Sequence, residues 1–133
     1  MKALSIRAPW WWLILAIESP KDIENRTWKT THRGPTLIHA STWYNARKIR
    51  EDFRILFAPN SCLETAWFEN ESALRACGGF IMGQTNIVDC VTQSDSPWFF
   101  GPVGFKLEGS KMFDEADRRK VKGMLGFFEV PHG

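Results

Sequence analysis

Tyrosine occurs once in this chain of 133 residues, and cysteine and histidine only three times each. Cys62, Cys77 and Cys90 are odd in number and contain no C-x-x-C pair, which excludes a complete disulfide frame and a zinc ribbon. They read as reduced, mostly buried thiols of a cytoplasmic protein. His32, His39 and His132 stand at no metal-ligand spacing, so no metal is expected. Long hydrophobic runs are missing too. The most apolar stretch, residues 10–17, falls well short of the ~20 residues needed to cross a bilayer, so no membrane association is expected. Lys2 and Arg7 precede it as in a signal peptide, but Pro9 opens the run and no small-x-small cleavage site follows, so no export is expected. Neither G-x-x-x-x-G-K-[ST] nor G-x-G-x-x-G occurs, which argues against nucleoside triphosphates and dinucleotide cofactors. G-x-S-x-G is absent as well. Any chemistry here must run on lysine, glutamate, threonine, serine or histidine, without a cofactor.

What the chain does have is tryptophan and phenylalanine, seven and ten of them, more than a core of this size needs. Some, especially those flanked by polar residues, are candidates for stacking on a flat ligand. The net charge of +2 conceals an asymmetry. Residues 1–50 carry nine Lys or Arg against three Asp or Glu, and residues 51–133 carry eight against twelve. A basic first part is a footprint that attracts phosphates.

No repeat, low-complexity segment or linker interrupts residues 1–133, so one domain is expected. Strands are expected at 3–6, 23–28, 36–40, 79–91, 103–107 and 124–130, with Gly83 marking a bulge or bend. A buried helix is expected at 10–17, since it is apolar all round. An amphipathic one is expected at 43–57, capped by Ser41 or Thr42 and stopped by Pro59. A short helix at 71–76 ends at Gly78-Gly79. Residues 94–102 form a loop with three consecutive aromatics, Trp98, Phe99 and Phe100. About six strands and two main helices in mixed order imply an α+β fold with a closed or nearly closed sheet.

The densest chemistry lies in Lys21-Asp22-Ile23-Glu24-Asn25-Arg26-Thr27-Trp28. As a strand, its period of two places Glu24, Arg26 and Trp28 on one face and leaves Ile23 for the core, with Lys21 entering from the preceding loop. Arginine presents a planar fork of donors, glutamate accepts from amino groups, and tryptophan offers a stacking surface. The plainer reading is a surface strand whose charges pair with one another while Trp28 packs on the core. His39, near the end of a central strand, is read first as a hydrogen-bonded structural residue. Arg47, Lys48, Arg50 and Arg54 are read as a solvated helix face.

Several ordered segments together resemble the ASCH domain family of the PUA-like superfamily. They are Leu4-Ser5-Ile6-Arg7-x-Pro9-Trp10, Lys21-x-x-Glu24-x-Arg26-Thr27-Trp28, Arg33-Gly34-Pro35-x-Leu37-Ile38-His39-Ala40-Ser41, Asp89-Cys90-Val91, Trp98-Phe99-x-Gly101-Pro102-x-Gly104-Phe105, and Lys122-Gly123-x-Leu125-Gly126-Phe127-Phe128-Glu129-Val130. The second matches the family's G-x-K-x-x-E-x-R signature, with Ser19 in the glycine position; Ala8 stands where the family commonly carries glutamine. The resemblance implies a small mixed or antiparallel β-barrel with flanking helices and a cleft lined by the signature strand. It further implies binding of RNA or other nucleic-acid components. Some similar members hydrolyse the acetyl amide of N4-acetylcytidine, and in those a threonine occupies the position of Glu24. Others are described as ribonucleases.

Three functions follow from these residues. The first is binding of single-stranded nucleic acid, RNA above all, or of a nucleotide or nucleoside, in a cleft around Lys21, Glu24, Arg26, Trp28 and His39. Thr27 and Ser41 add polar contacts, and Arg7, Arg26, Lys29, Arg33 and Lys122 meet phosphates. The second is a metal-independent hydrolase in which Lys21 acts as base, Glu24 as acid, base or orienting group, and His39 assists. The third is a reader of modified bases walled by Trp28 and Trp98. Glutamate in the threonine position favours binding over catalysis. No residue pattern speaks to oligomeric state.

Overall fold

The computed structural model describes residues 1–16, 21–56 and 62–131. Six strands, β1 (Lys2–Ile6), β2 (Ile23–Arg26), β3 (Gly34–Ala40), β4 (Ile81–Val91), β5 (Val103–Met112) and β6 (Phe127–Glu129), form one sheet in the order β2-β5-β4-β3-β1-β6. All neighbours are antiparallel except β1 and β3. Among the described residues, four α-helices accompany the sheet: α1 (Trp10–Leu15), α2 (Ala46–Leu56), α3 (Cys62–Glu69) and α4 (Glu71–Arg75). The class is α+β, a mixed sheet curled into a half-barrel.

The local patterns account for the strands. In β5, Val103, Phe105 and Leu107 point into the core while Lys106 and Glu108 face water. In β4, Ile81, Gly83, Thr85 and Ile87 are buried at the same period. Helix α1 is apolar on every side and buries Trp11, Leu13, Ile14 and Leu15. Trp67 of α3 is fully buried, edge-on to Trp11 and Trp12 at 6.1 and 5.5 Å, and its Nε1–H donates to the Tyr44 hydroxyl.

The sheet does not close through backbone pairing, contrary to the fully closed alternative. The edge strands β2 and β6 are short and are not neighbours in the ladder. Side chains bridge the seam between them. A terminal nitrogen of Arg26 donates to the Ser5 carbonyl of β1 at 3.1 Å. Trp28 packs edge-on against Phe105 and Phe127 at 5.3 and 5.5 Å, and those two rings stack on each other.

Several boundaries differ from the sequence expectation. Helix α2 starts at Ala46 because Asn45, not Ser41 or Thr42, caps it: Asn45 Oδ1 accepts from the Lys48 amide at 3.0 Å. Ser41 instead accepts from the Trp43 amide in the preceding turn, which leaves Trp43 off the helix and 42% exposed. Helix α3 was not anticipated at all; its apolar stripe, Leu63, Ala66 and Trp67, is only one turn long. Strand β5 continues to Met112, and β6 begins at Phe127 because Met124 and Leu125 face solvent. The bulge falls at Met82 rather than at Gly83, since Ile38 opposes Gly83 while His39 opposes Ile81. No cysteine is buried: Cys62 is exposed, and Cys77 and Cys90 are half-buried. The basic face of α2 pairs with acids, Arg47 with Glu51, Lys48 with Asp52, and Arg50 and Arg54 with Glu64. The expected end of the first helix at Ile17, the Ser19 position, the Pro59 stop and His132 lie outside the described residues.

Candidate functional site

Lys21 is anchored where β2 begins, its amide donating to the Leu13 carbonyl of α1 at 2.8 Å. Its ammonium is buried, donates to the Ile23 carbonyl and to Glu24 Oε1 at 3.1 Å, and lies 5.6 Å from the centre of the Trp10 ring. Glu24 Oε2 in turn accepts from Arg26 Nε at 3.1 Å. The result is a continuous chain from Lys21 through Glu24 and Arg26 to Ser5, running along the seam of the sheet. Both Glu24 oxygens are engaged by cations, although a carboxylate offers about four acceptor directions and retains capacity for a further donor.

A cavity of about 590 Å³ opens beside this chain. Glu24 and Arg26 line it from β2, Thr27 and Trp28 from the bend that follows, and Ser5, Ile6 and Arg7 from the end of β1. Trp10, Ser41, Trp43 and the 123–126 loop complete it. The Arg7 guanidinium sits 4.3 Å over the Trp43 ring, which fixes both at the rim. Leu125 at the opposite rim is entirely solvent-exposed. A second hollow of about 220 Å³ shares Trp10, Glu24 and Asn25 with the first and adds Lys21 and Phe100. A third, of about 430 Å³, shares Ser5, Ser41 and Gly123 and adds Lys120 and Lys122.

Asn25 holds the aromatic loop against the site. Its Nδ2 donates to the Trp98 carbonyl at 2.9 Å, and its Oδ1 accepts from the amides of Phe100 and Gly101 at 2.8 and 3.2 Å. Phe100 thereby comes within 6.5 Å of Trp10, centre to centre.

Residues 4–122 match the model of the ASCH domain. The chain belongs to the ASCH domain family. That match runs from β1 to Lys122 and takes in the whole Lys21–Trp28 stretch. ASCH domains are in general RNA-binding. No curated protein matches the chain.

Within this ASCH domain, the expected site residues divide into groups. Arg7, Glu24, Arg26, Thr27, Trp28 and Ser41 meet around the main cavity, and Lys21 faces the adjoining hollow. His39 does not join them. Its Nε2 bonds the Val121 carbonyl at 2.9 Å, so Nε2 carries the proton and Nδ1 accepts from the Ser5 hydroxyl at 2.9 Å. Both nitrogens are thus committed to protein partners, the structural role read first for this residue. Trp98 packs half-buried against the core and does not line the cavity. Arg33 turns back on the carbonyls of Thr30 and His32 and approaches Asp89 at 3.8 Å. Lys29 is exposed outside the cavity, and Lys122 borders the third hollow. Trp10, Asn25, Trp43, Phe100, Met124 and Leu125 were not identified as site residues from sequence. Asn25 lies inside the signature strand and Phe100 in the loop of three consecutive aromatics, which were the signals for those two; the others reach the site only through tertiary contacts. Among the described residues, no three His, Cys, Asp or Glu side chains converge as metal ligands, and no helix is long and apolar enough to cross a membrane.

Proposed function

We propose that this chain is a single PUA-like domain, residues 1–133, that binds single-stranded RNA, or a nucleotide, with one base in the cavity beside the Lys21–Glu24–Arg26 chain. The observation that carries this reading is the composition of that cavity: a carboxylate and a guanidinium side by side between indole walls. A base edge presents donors and acceptors next to one another, and Glu24 beside Arg26 offers the complementary acceptor and donor. Trp28 is held rigidly by Phe105 and Phe127, while Trp43, with the Arg7 guanidinium over its ring, stays 42% exposed. Stacking on an aromatic contributes ~1–3 kcal/mol per base, with phosphate contacts adding a salt-dependent part.

Filter binding of a short RNA at two salt concentrations tests the reading. Binding should weaken as salt rises, and Trp43→Ala should weaken it by roughly 5- to 150-fold, the equivalent of one lost stack. Absence of binding at low salt, or binding indifferent to salt, refutes it.

One observation supports catalysis as a second reading: Lys21 and Glu24 lie 3.1 Å apart on a small hollow that Trp10 and Phe100 also line. It ranks lower because two of the ammonium protons already serve Ile23 and Glu24, and because His39 is committed elsewhere. Incubation with N4-acetylcytidine and with labelled RNA decides it, and turnover lost in Lys21→Ala would establish an enzyme. The reading as a sensor of modified bases loses its second wall, because Trp98 packs against the core.

A further inference from the structure

The hollow of about 430 Å³ beside Lys120 and Lys122 opens onto the same Ser5, Ser41 and Gly123 that line the main cavity, so the two form one track. The segment carrying the lysines is built into the sheet. Residues 119–121 run against the start of β4: the Ile81 amide donates to the Arg119 carbonyl at 2.7 Å, and the Val121 amide donates to the Gly79 carbonyl at 2.9 Å. Val121 packs against the buried cluster around Ile81 and Phe128. In an extended segment neighbouring side chains alternate, so with Val121 inward both Lys120 and Lys122 turn outward on one side. His39 pins the segment from beneath through the Val121 carbonyl. Gly123 lies so close to His39 that a Cβ there would stand 2.7 Å from the ring, which fixes where the lysine segment passes.

Three cations along this track, Arg7, Lys120 and Lys122, lack a carboxylate partner among the described residues. On α2 every basic side chain is matched by a carboxylate, and Glu24, the one acid lining the main cavity among the described residues, already serves Lys21 and Arg26. The Ser41 oxygen accepts from the Trp43 amide, leaving its O–H free to donate. Two unpaired ammonium groups and a free hydroxyl next to the cavity of about 590 Å³ suit a tetrahedral dianion or a phosphodiester.

We propose that the Lys120–Lys122 hollow is a phosphate subsite, holding the phosphate attached to the nucleoside whose base occupies the main cavity. This rests on the reading of that cavity as a base site. The shared chemistry is a phosphate oxyanion, supplied either by the terminal group of a mononucleotide or by the backbone of an RNA strand.

The test compares wild type, Lys120→Ala/Lys122→Ala, Arg47→Ala and Trp43→Ala, titrated with a nucleoside, its 5′- and 3′-monophosphates, a dinucleotide and a short RNA across a salt series. Both lysines are exposed, and thermal melts check that the variant is folded. The double variant should lose about fivefold or more in affinity for the phosphorylated ligands and leave the nucleoside unaffected. Its log K against log salt slope for RNA should be shallower by about 0.7 per lost phosphate contact. Loss with the monophosphates assigns the terminal group, and loss with the dinucleotide and RNA alone assigns the backbone; either supports the subsite. Wild-type affinity and slope in the double variant, with Trp43→Ala still weakening binding, overturn the subsite and leave the base cavity standing. An equal effect from Arg47→Ala, remote on α2, reduces the lysines to overall charge and also overturns it. If wild type binds none of these ligands at low salt, the base-site reading falls and takes the subsite with it.

Discussion

Glu24→Ala tests the central charge arrangement most directly. Lys21 is 2% exposed, and without the carboxylate its ammonium keeps the Ile23 carbonyl and the Trp10 face alone. Removing one partner of a buried ion pair costs about 3–5 kcal/mol, because the remaining charge stays desolvated without its counter-ion. Arg26 adds less to the loss, since its side chain is 21% exposed and keeps the Ser5 carbonyl. In a domain of this length each kcal/mol is worth about 3–6 °C, so the melting temperature should fall by about 9–30 °C. Lys21→Met should cost under ~1.5 kcal/mol, as it removes the ammonium while keeping the volume and leaves Glu24 paired with Arg26. Adding Lys21→Met to Glu24→Ala should therefore recover much of the loss, a coupling measurable in a double-mutant cycle. Urea unfolding followed by tryptophan fluorescence reads all four proteins, with the midpoint moving and the slope unchanged. A Glu24→Ala protein within about 1 kcal/mol of wild type, or a double variant no better than Glu24→Ala, refutes the argument that Lys21 depends on this carboxylate.

Other expectations follow from single contacts. Asn25→Ala removes three hydrogen bonds to the 98–101 loop and should cost about 1–3 kcal/mol, with faster proteolysis confined to that loop as the specific readout. Gly83→Ala would put a Cβ 2.3 Å from the Lys111 carbonyl oxygen and 2.8 Å from Leu15, so a loss of about 1–3 kcal/mol or more is expected in urea unfolding. A loss near zero would mean that β4 and β5 can separate there. His32 is held below its usual 6.5, first by burial and then by Lys2 and Arg33. The folded state therefore resists protonating it. Its contribution to stability is intact above pH 6.5 and declines as pH falls through the window below that value. His32→Gln should flatten that part of the stability–pH curve, and an unchanged curve would assign the decline to other groups.

Much of the framework was legible because it depends on neighbouring residues. Short apolar runs bounded by Gly and Pro marked β3, β4 and β5, and the all-apolar run marked α1 as buried, since both signals are local in the chain. The spacing of Glu24 and Arg26 put two charged groups on one face of a strand, with Lys21 entering from the preceding loop, before any fold was known. Cap choice was not legible in the same way. Ser41, Thr42 and Asn45 are all good caps, and which one serves depends on where the chain leaves β3. The 124–130 stretch looks like one apolar strand, yet β1 pairs only with Phe127, Phe128 and Glu129, so Met124 and Leu125 stay at the cavity rim.

The sequence by itself determined the strands, the signature charges and the family, because each is written in short-range patterns of residue type. Tertiary structure alone decided that β2 pairs with β5, that Trp10 and Trp43 become cavity walls, and that His39 serves Val121, 82 positions away. The physical reason is that a side chain's local period says which face it occupies. What that face meets is set by how the whole apolar surface is buried, and therefore by residues far along the chain.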